Sequence, residues 1–471
     1  MLPKLPSSEW SPQTAAHLLA RAGFGGTPED VRRLYESGLD GAVRALVEER
    51  DPEDWMPAPA DAVVRDMEEQ REMRQNAMAM GDEERRAAQR EIQALYRDRT
   101  VAIRQWWLER MRNTSNPLRE KLTLFWHGHF ATSIQKVRVP YLMYAQNELF
   151  RKMAFGPLPD LTKAVSQDPA MMRYLDLADS KKGAPNENYA REVMELFTLG
   201  EGHYTEDDIR EAARAFTGYR LTFDGSVRLA PNQHDDGQKT FFSRTGSFTG
   251  NDIVDIIYQQ LQSAKFLSAK LWTFFAGSPP PAPAADLLAK RLRENRYQLK
   301  PWLTEVFSSR AFYSSHIVRR QIKSPVQFLV QSCRQLEIPL PGPGFTQSAL
   351  RQLGQELFLP PNVKGWDGQF AWITSSTLVN RYNLSGILTG ANPQKGVPRP
   401  ELTHLFPREK RADPERILAD LQFRFYGNQI SPKTTQPFRE YLAKIDLANP
   451  SNEETAALFH LMMSIPEYQL T

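Results

Sequence analysis

The chain has 471 residues, 41% hydrophobic and 24% charged, enough to bury a large core across roughly two to four structural units. Its 59 basic and 56 acidic residues leave a net charge of +3, which gives no whole-chain basis for binding nucleic acid or an anionic membrane surface. The single cysteine, Cys333, excludes an internal disulfide framework and a cysteine-rich metal knuckle, and in the apolar run QFLVQSCRQL it reads as a buried thiol.

The N-terminal run has no basic stretch followed by an apolar one, and no segment approaches the roughly 18 apolar residues of a membrane span; the expectation is a cytoplasmic protein. Ser11-Pro12 and Thr27-Pro28 are N-cap and first-turn pairs, and with the periodic Leu39, Val43, Leu46 and Val47 they predict three short helices over residues 1–59. Residues 60–112, rich in Glu, Arg, Gln, Met and Ala, predict a charged helical hairpin arm of two long helices broken at Gly81 and Asp82. Its charge run reads as a solvated helix face, or as a coiled-coil or partner-binding arm. Residues 113–400 form the expected core with the candidate site and a small hairpin near 219–243, and 401–471 the expected C-terminal helices. The fold class predicted is mainly α: a multi-helix globular array with one small antiparallel β-hairpin region.

Within the core, Asn116 and Pro117 start a helix that ends in His127-Gly128-His129. Side chains at i and i+2 point about 200° apart on a regular helix, so these histidines share a metal only if the helix breaks at Gly128. Otherwise one is satisfied in the core and one sits at the helix end. Between Gly183 and Arg220 the chain reads as two helices around a corner at Gly200 and Gly202. Asn186 opens the first, Thr205 and Asp208 form a capping box for the second, and Asn188, Glu192 and Glu195 share one face beside an apolar stripe. The turn at Asp224-Gly225 predicts the hairpin.

After the hairpin, His234, Asp235 and Lys239 cluster on a loop, where a His-Asp pair serves as a base with its orienter or as metal ligands, or the loop is a surface turn shaped by Asp236-Gly237. Arg319, Arg320 and Lys323 precede a helix start and read as an anion site or as solvated charge. Trp366 and Trp372 lie on an irregular loop and offer flat faces for a ligand or plugs for a core. Ser375 or Ser376 is the expected cap of the next helix.

The runs LLARAGFG, FWHGHF, QDPAMMRYLD, NENYAREVMELFTLGEGHYTEDDIREAARAFTGY, HDDGQKTF, PPNVKGW and WITSSTLVNR, in this order, resemble a bacterial domain-of-unknown-function family, the one numbered eighteen hundred. The resemblance spans about Ala15 to Arg381. It implies no agreed activity, but it does imply relatives that are often exported and often encoded beside a sulfatase-like protein, which becomes the expected partner. Gly128 stands where relatives commonly carry asparagine, and the expectation from the N-terminal run is a protein without the export signal of many relatives.

No phosphate-binding loop, dinucleotide fingerprint, nucleophile elbow or zinc helix occurs in the sequence. Two function classes therefore remain open. One is a hydrolytic enzyme, with His127, His129, Glu192 and Glu195 as catalytic groups or as ligands of a divalent metal, and Asn188, Arg191, His234, Asp235, Lys239 and Trp366 binding substrate. The other is a helical scaffold or partner-binding protein in which the same groups form a structural network.

Overall fold

The computed structural model describes residues 2–48, 56–63, 81–222, 225–395, 397–406, 413–428 and 430–471. Three short helices open it, α1 (Pro12–Ala22), α2 (Pro28–Glu36) and α3 (Gly38–Val47). The side chains of Ser11 and Thr27 cap the first two, each in a reciprocal capping box. The long α4 (Asp82–Asn113) is solvated over its charged first half and buries Ile103, Trp106, Trp107, Leu108 and Met111 in its second. The first helix expected in the charged arm falls on residues 64–80, outside the described residues.

Next come α5 (Pro117–His129), α6 (Ile134–Val137), α7 (Pro140–Lys152), α8 (Leu158–Ser166) and α9 (Pro169–Tyr174). The motif helices α10 (Glu187–Glu195) and α11 (Glu206–Ala215) follow, capped by Asn186 and by the Thr205–Asp208 box. Then come β1 (Tyr219–Leu221) and β2 (Val227–Leu229), paired antiparallel with Arg220 opposite Arg228. Phe223 and Asp224 of the expected turn lie outside the described residues. A second hairpin, β3 (Lys239–Phe241) with β4 (Arg244–Gly246), turns at Phe242 and Ser243.

The rest is helical: α12 (Gly250–Gln259), α13 (Leu261–Ala276), α14 (Ala282–Glu294), α15 (Leu299–Ser308), α16 (Pro325–Gln335), α17 (Pro343–Leu353), α18 (Ser375–Thr389), α19 (Pro414–Tyr426), α20 (Pro432–Leu442) and α21 (Asn452–Met463). The protein is mainly α, with two small antiparallel hairpins among the described residues. Thr374, rather than Ser375 or Ser376, caps α18, because its hydroxyl accepts from the Thr377 amide and Thr377 reciprocates. No helix among the described residues is long and apolar enough to cross a membrane.

Two apolar cores organise these helices. One gathers α1–α3, the motif helices and α12–α15; the other gathers the buried half of α4 with α16–α21. Residues 113–400 supply both. α5 lies between them, with Leu118, Leu122, Phe125 and Trp126 in the first core and Leu124 in the second. Where α4, α5 and α7 meet, Glu120 is fully buried and holds Arg110 at 2.6 Å, Arg151 at 2.6 Å and the Trp107 indole at 3.0 Å. Burial pushes its carboxyl up, but Arg151 and Arg110 more than reverse this and hold it below the usual carboxylate range.

Candidate functional site

α5 runs through Gly128 to His129 without a break, so the two histidines point to opposite sides, one into each core. His127 packs against Trp107 and Phe358, with ring centroids 5.3 and 5.2 Å away, and its Nε2 accepts from the Phe358 amide at 3.0 Å. An amide only donates, so the ring's proton is on Nδ1. Burial, then Arg104, pushes its pKa down to about 3. His129 stacks on Phe125, and its Nε2 lies 3.0 Å from the Phe197 carbonyl, which fixes the opposite tautomer. Its Nδ1 faces the Lys270 ammonium at 3.4 Å. Burial, then Lys270, holds it neutral well below the ordinary range, although the Phe197 carbonyl works in the other direction. Lys270 also donates to Leu196 O at 3.0 Å, and burial followed by Lys364 lowers it to about 8.

Gly365, at a φ of +85°, lies so close to α5 that a Cβ there would come within 2.1 Å of Gly128 O. This contact seats half-buried Trp366 over Gly128, with its ring 5.6 Å from His127.

On α10, Tyr189 and Val193 enter the core while Asn188 is exposed and Glu192 and Glu195 are half-buried. Arg191 leaves this group for a two-pronged pair with Glu206 at 3.0 and 2.9 Å, and Glu195 accepts from Tyr204 at 2.5 Å. The Glu192 carboxylate makes no hydrogen bond or ion pair to the described residues. Burial, then Glu195, raises its pKa, with Arg191 opposing. Its charge also acts on Tyr174. The Lys136 ammonium lies 5.9 Å from the Tyr174 ring centroid and pairs with Asp176 at 2.7 Å. Lys136 and Asp176 line a groove of about 1600 Å³ between α4, α6, α9 and α17, with Arg104 and Arg351 holding Glu356 on its far wall.

The loop after β2 is pinned elsewhere. His234 Nδ1 lies 2.9 Å from Thr217 O, and Asp235 takes Arg214 Nε at 2.8 Å, an interaction that keeps its carboxyl below the usual range. Lys239, 1% exposed, donates to the carbonyls of Asp235 at 2.5 Å and Gly237 at 3.0 Å. The ten candidate residues thus fall into separate places: His127 with Trp366, His129 with Lys270, the α10 carboxylates on one face with Asn188, Arg191 with Glu206, and the Asp235 loop on α11. Among the described residues no group of three or more His, Cys, Asp or Glu side chains is gathered to hold a metal ion. The histidines' bonds to backbone groups leave the set His127, His129, Glu192 and Glu195 unassembled.

A surface that the sequence reading passed over lies at α18 and the turn before it. Phe370 is 84% exposed, and Leu378, Val379 and Tyr382 are exposed at 44, 58 and 50%. The last three share one face of α18, with Leu378 four residues and Val379 three residues before Tyr382. The signal was available: from Gly368 to Gly390 the only charged residue is Arg381, which is buried. Trp372, by contrast, is a core plug at 7% exposure.

The chain belongs to the family described as protein of unknown function (DUF1800), whose model matches residues 17–470. The match reaches well past Arg381, taking in the C-terminal helices of the second core. No curated protein and no solved structure matches the chain.

Proposed function

We propose that this family member is a partner-binding protein that docks another polypeptide on the apolar face of α18. The observation that carries this reading is the grouping of Phe370, Leu378, Val379 and Tyr382 at 44 to 84% exposure in a stretch without exposed charge. Large apolar side chains grouped in this way mark interaction surfaces, and aromatic ones supply most of the binding energy. Further support comes from the polar motif, where nearly every group is taken by the protein's own backbone or by an ion pair, as a structural network requires. The partner to test is the sulfatase-like protein that family members are often encoded beside. In size-exclusion chromatography with light scattering, the two purified proteins form a complex that Val379→Asp and Phe370→Ser each weaken by about tenfold or more, with helicity unchanged. Unchanged binding in both variants overturns the reading, and a homodimer lost in the same variants makes a second copy of this chain the occupant.

One observation favours a second reading, acid–base hydrolysis without a metal. Glu192 is a half-buried carboxylate with a raised pKa and no side-chain partner among the described residues, and its charge acts on Tyr174, whose ring centroid lies 5.9 Å from the Lys136 ammonium that lines the large groove. A carboxyl whose pKa is raised takes up a proton more readily, as a general acid or base must. If a hydrolytic activity is found, Glu192→Gln lowers it by about 10²–10⁴-fold without loss of stability, and an unaffected rate removes this reading.

A further inference from the structure

The groove of about 1600 Å³ walled by α4, α6, α9 and α17 is larger than sites for small organic ligands and suits a length of polymer. Gln89, Gln93, Tyr96, Thr100 and Arg104 line it from one face of α4. From Gln89 to Arg104 the helix rises about 22 Å, the length of about seven residues of extended polypeptide.

Six cationic and three acidic side chains line the groove, so its field is positive. Part of this set is matched on the wall itself, Lys136 with Asp176, and Arg104 and Arg351 with Glu356. Arg97 and Arg138 are not. Arg97 is exposed and reaches only Asp98, at 4.0 Å and outside the groove lining. Arg138 is exposed, and its guanidinium donates to Gln135 O at 3.3 Å without meeting a carboxylate among the described residues. It caps α6 in a left-handed conformation, φ 59°, which glycine adopts with less strain. The position therefore keeps a cation on the groove wall against a backbone preference for glycine.

The wall also selects among anionic polymers. Gln89, Gln93 and Gln135 are exposed on it, and each side-chain amide offers both a donor and an acceptor. A peptide backbone answers both, whereas a phosphodiester backbone only accepts. Ile92, Tyr96, Ile134 and Leu221 are half-buried and give the groove apolar surface, which a uniformly charged chain leaves in contact with water.

We propose that this groove binds an acidic peptide segment of a partner protein in extended form, its carboxylates on Arg97 and Arg138, its backbone on the glutamine amides and its apolar side chains against Ile92, Tyr96 and Leu221. Both guanidiniums are exposed on long side chains, so recognition rests on the density of acidic residues along the segment rather than on one fixed spacing. None of the exposed apolar residues of the α18 face lines the groove, so this site is independent of that surface. The other cationic cluster, Arg319, Arg320 and Lys323, does not form the expected anion site. Lys323 is 1% exposed with its ammonium 3.6 Å from the Tyr468 ring centroid, and Arg319 is half-buried over the Tyr426 ring. Solvated charge describes Arg320 alone.

The test uses the full chain and fluorescein-labelled peptides of about eight residues in which leucine alternates with glutamate, serine or lysine, so that an extended peptide carries its charges on one side, together with a single-stranded oligothymidine of similar length. Fluorescence anisotropy reads binding. We expect the glutamate peptide to bind, the serine peptide to bind about tenfold more weakly and the lysine peptide not at all, with affinity for the first falling as salt is raised from about 0.05 M to about 0.5 M. The double variant Arg97→Glu, Arg138→Gly is expected to weaken the glutamate peptide by about tenfold or more. Arg138→Gly alone keeps or raises stability in urea, because glycine suits the left-handed cap, and still weakens binding by about threefold, which separates lost recognition from lost fold. Phe370→Ser on the α18 face leaves binding unchanged. No binding of the glutamate peptide at about 1 mM, equal affinity for the serine peptide, equal affinity in the double variant, or loss of binding in Phe370→Ser overturns the proposal. Equal or tighter binding of the oligothymidine also overturns it, by making the groove a general polyanion surface.

Discussion

Replacing His127 by glutamine separates a structural role for this residue from a catalytic or metal-binding one, because the structural role has a pH signature. In the folded protein His127 is neutral, with a pKa near 3 against an ordinary value of 6.5. In the unfolded chain it protonates freely below pH 6.5. A group depressed in this way stabilises the fold fully above its unfolded pKa, and that contribution is lost as pH falls from 6.5 toward 3. Between pH 7 and pH 5 the loss is about 2 kcal/mol, and it stays near that figure for any folded pKa a unit or more below 5.

Glutamine does not titrate, and its side-chain oxygen can still accept from the Phe358 amide. The variant is therefore somewhat less stable at pH 7, but its stability should fall by about 2 kcal/mol less than the wild type's between pH 7 and pH 5. Urea unfolding midpoints at the two pH values, followed by circular dichroism, measure the difference. Parallel pH profiles for the two proteins would refute the reasoning, because they would mean that His127 is not buried neutral. Tight stoichiometric zinc binding abolished by the substitution would refute it from the other side.

Glu120→Ala leaves Arg110 and Arg151 facing each other without their shared carboxylate, and it should cost about 3–5 kcal/mol in a denaturant titration; a cost under about 1 kcal/mol would mean that water replaces the carboxylate at no penalty. Gly365→Ala should cost at least about 1–3 kcal/mol and shift tryptophan emission, since the added methyl group meets Gly128 O and lifts Trp366 from His127; an unshifted spectrum would argue against that close approach. Lys239→Met removes the donor that ties the carbonyls of Asp235 and Gly237, and faster proteolysis within residues 234–239 is the expected readout.

Local chemistry was legible wherever one residue decides it. Ser11, Thr27, Asp168, Asn186 and Thr205 cap the helices that their positions announce. The cap expected for α18, Ser375 or Ser376, lies one or two residues past Thr374 because all three are good cap formers, and only the reciprocal bond with Thr377 distinguishes them. The β3–β4 hairpin has no such announcement, because its turn, Phe242-Ser243, carries none of the usual glycine or asparagine signal although both residues hold positive φ. Of the candidate site, the shared face of Asn188, Glu192 and Glu195 follows from helical spacing. The neighbours of that face do not: Tyr174, Tyr204 and Glu206 come from other elements, and they decide which carboxylate is bonded and which is free.

The sequence by itself determined the helical class, the family and most helix starts, since periodicity, caps and motif order act within a few residues of chain. Only the tertiary structure decided what the polar motif does. The i, i+2 spacing of His127 and His129 states that they point apart on an unbroken helix. That they enter two different cores, each neutral and each bonded to a backbone group, depends on α5 lying between those cores, with Phe358 on one side and Phe197 on the other. The same assembly left Leu378, Val379 and Tyr382 uncovered on α18 while burying Arg381 beside them. Burial is set by the elements that pack against a helix, and those lie far away along the chain.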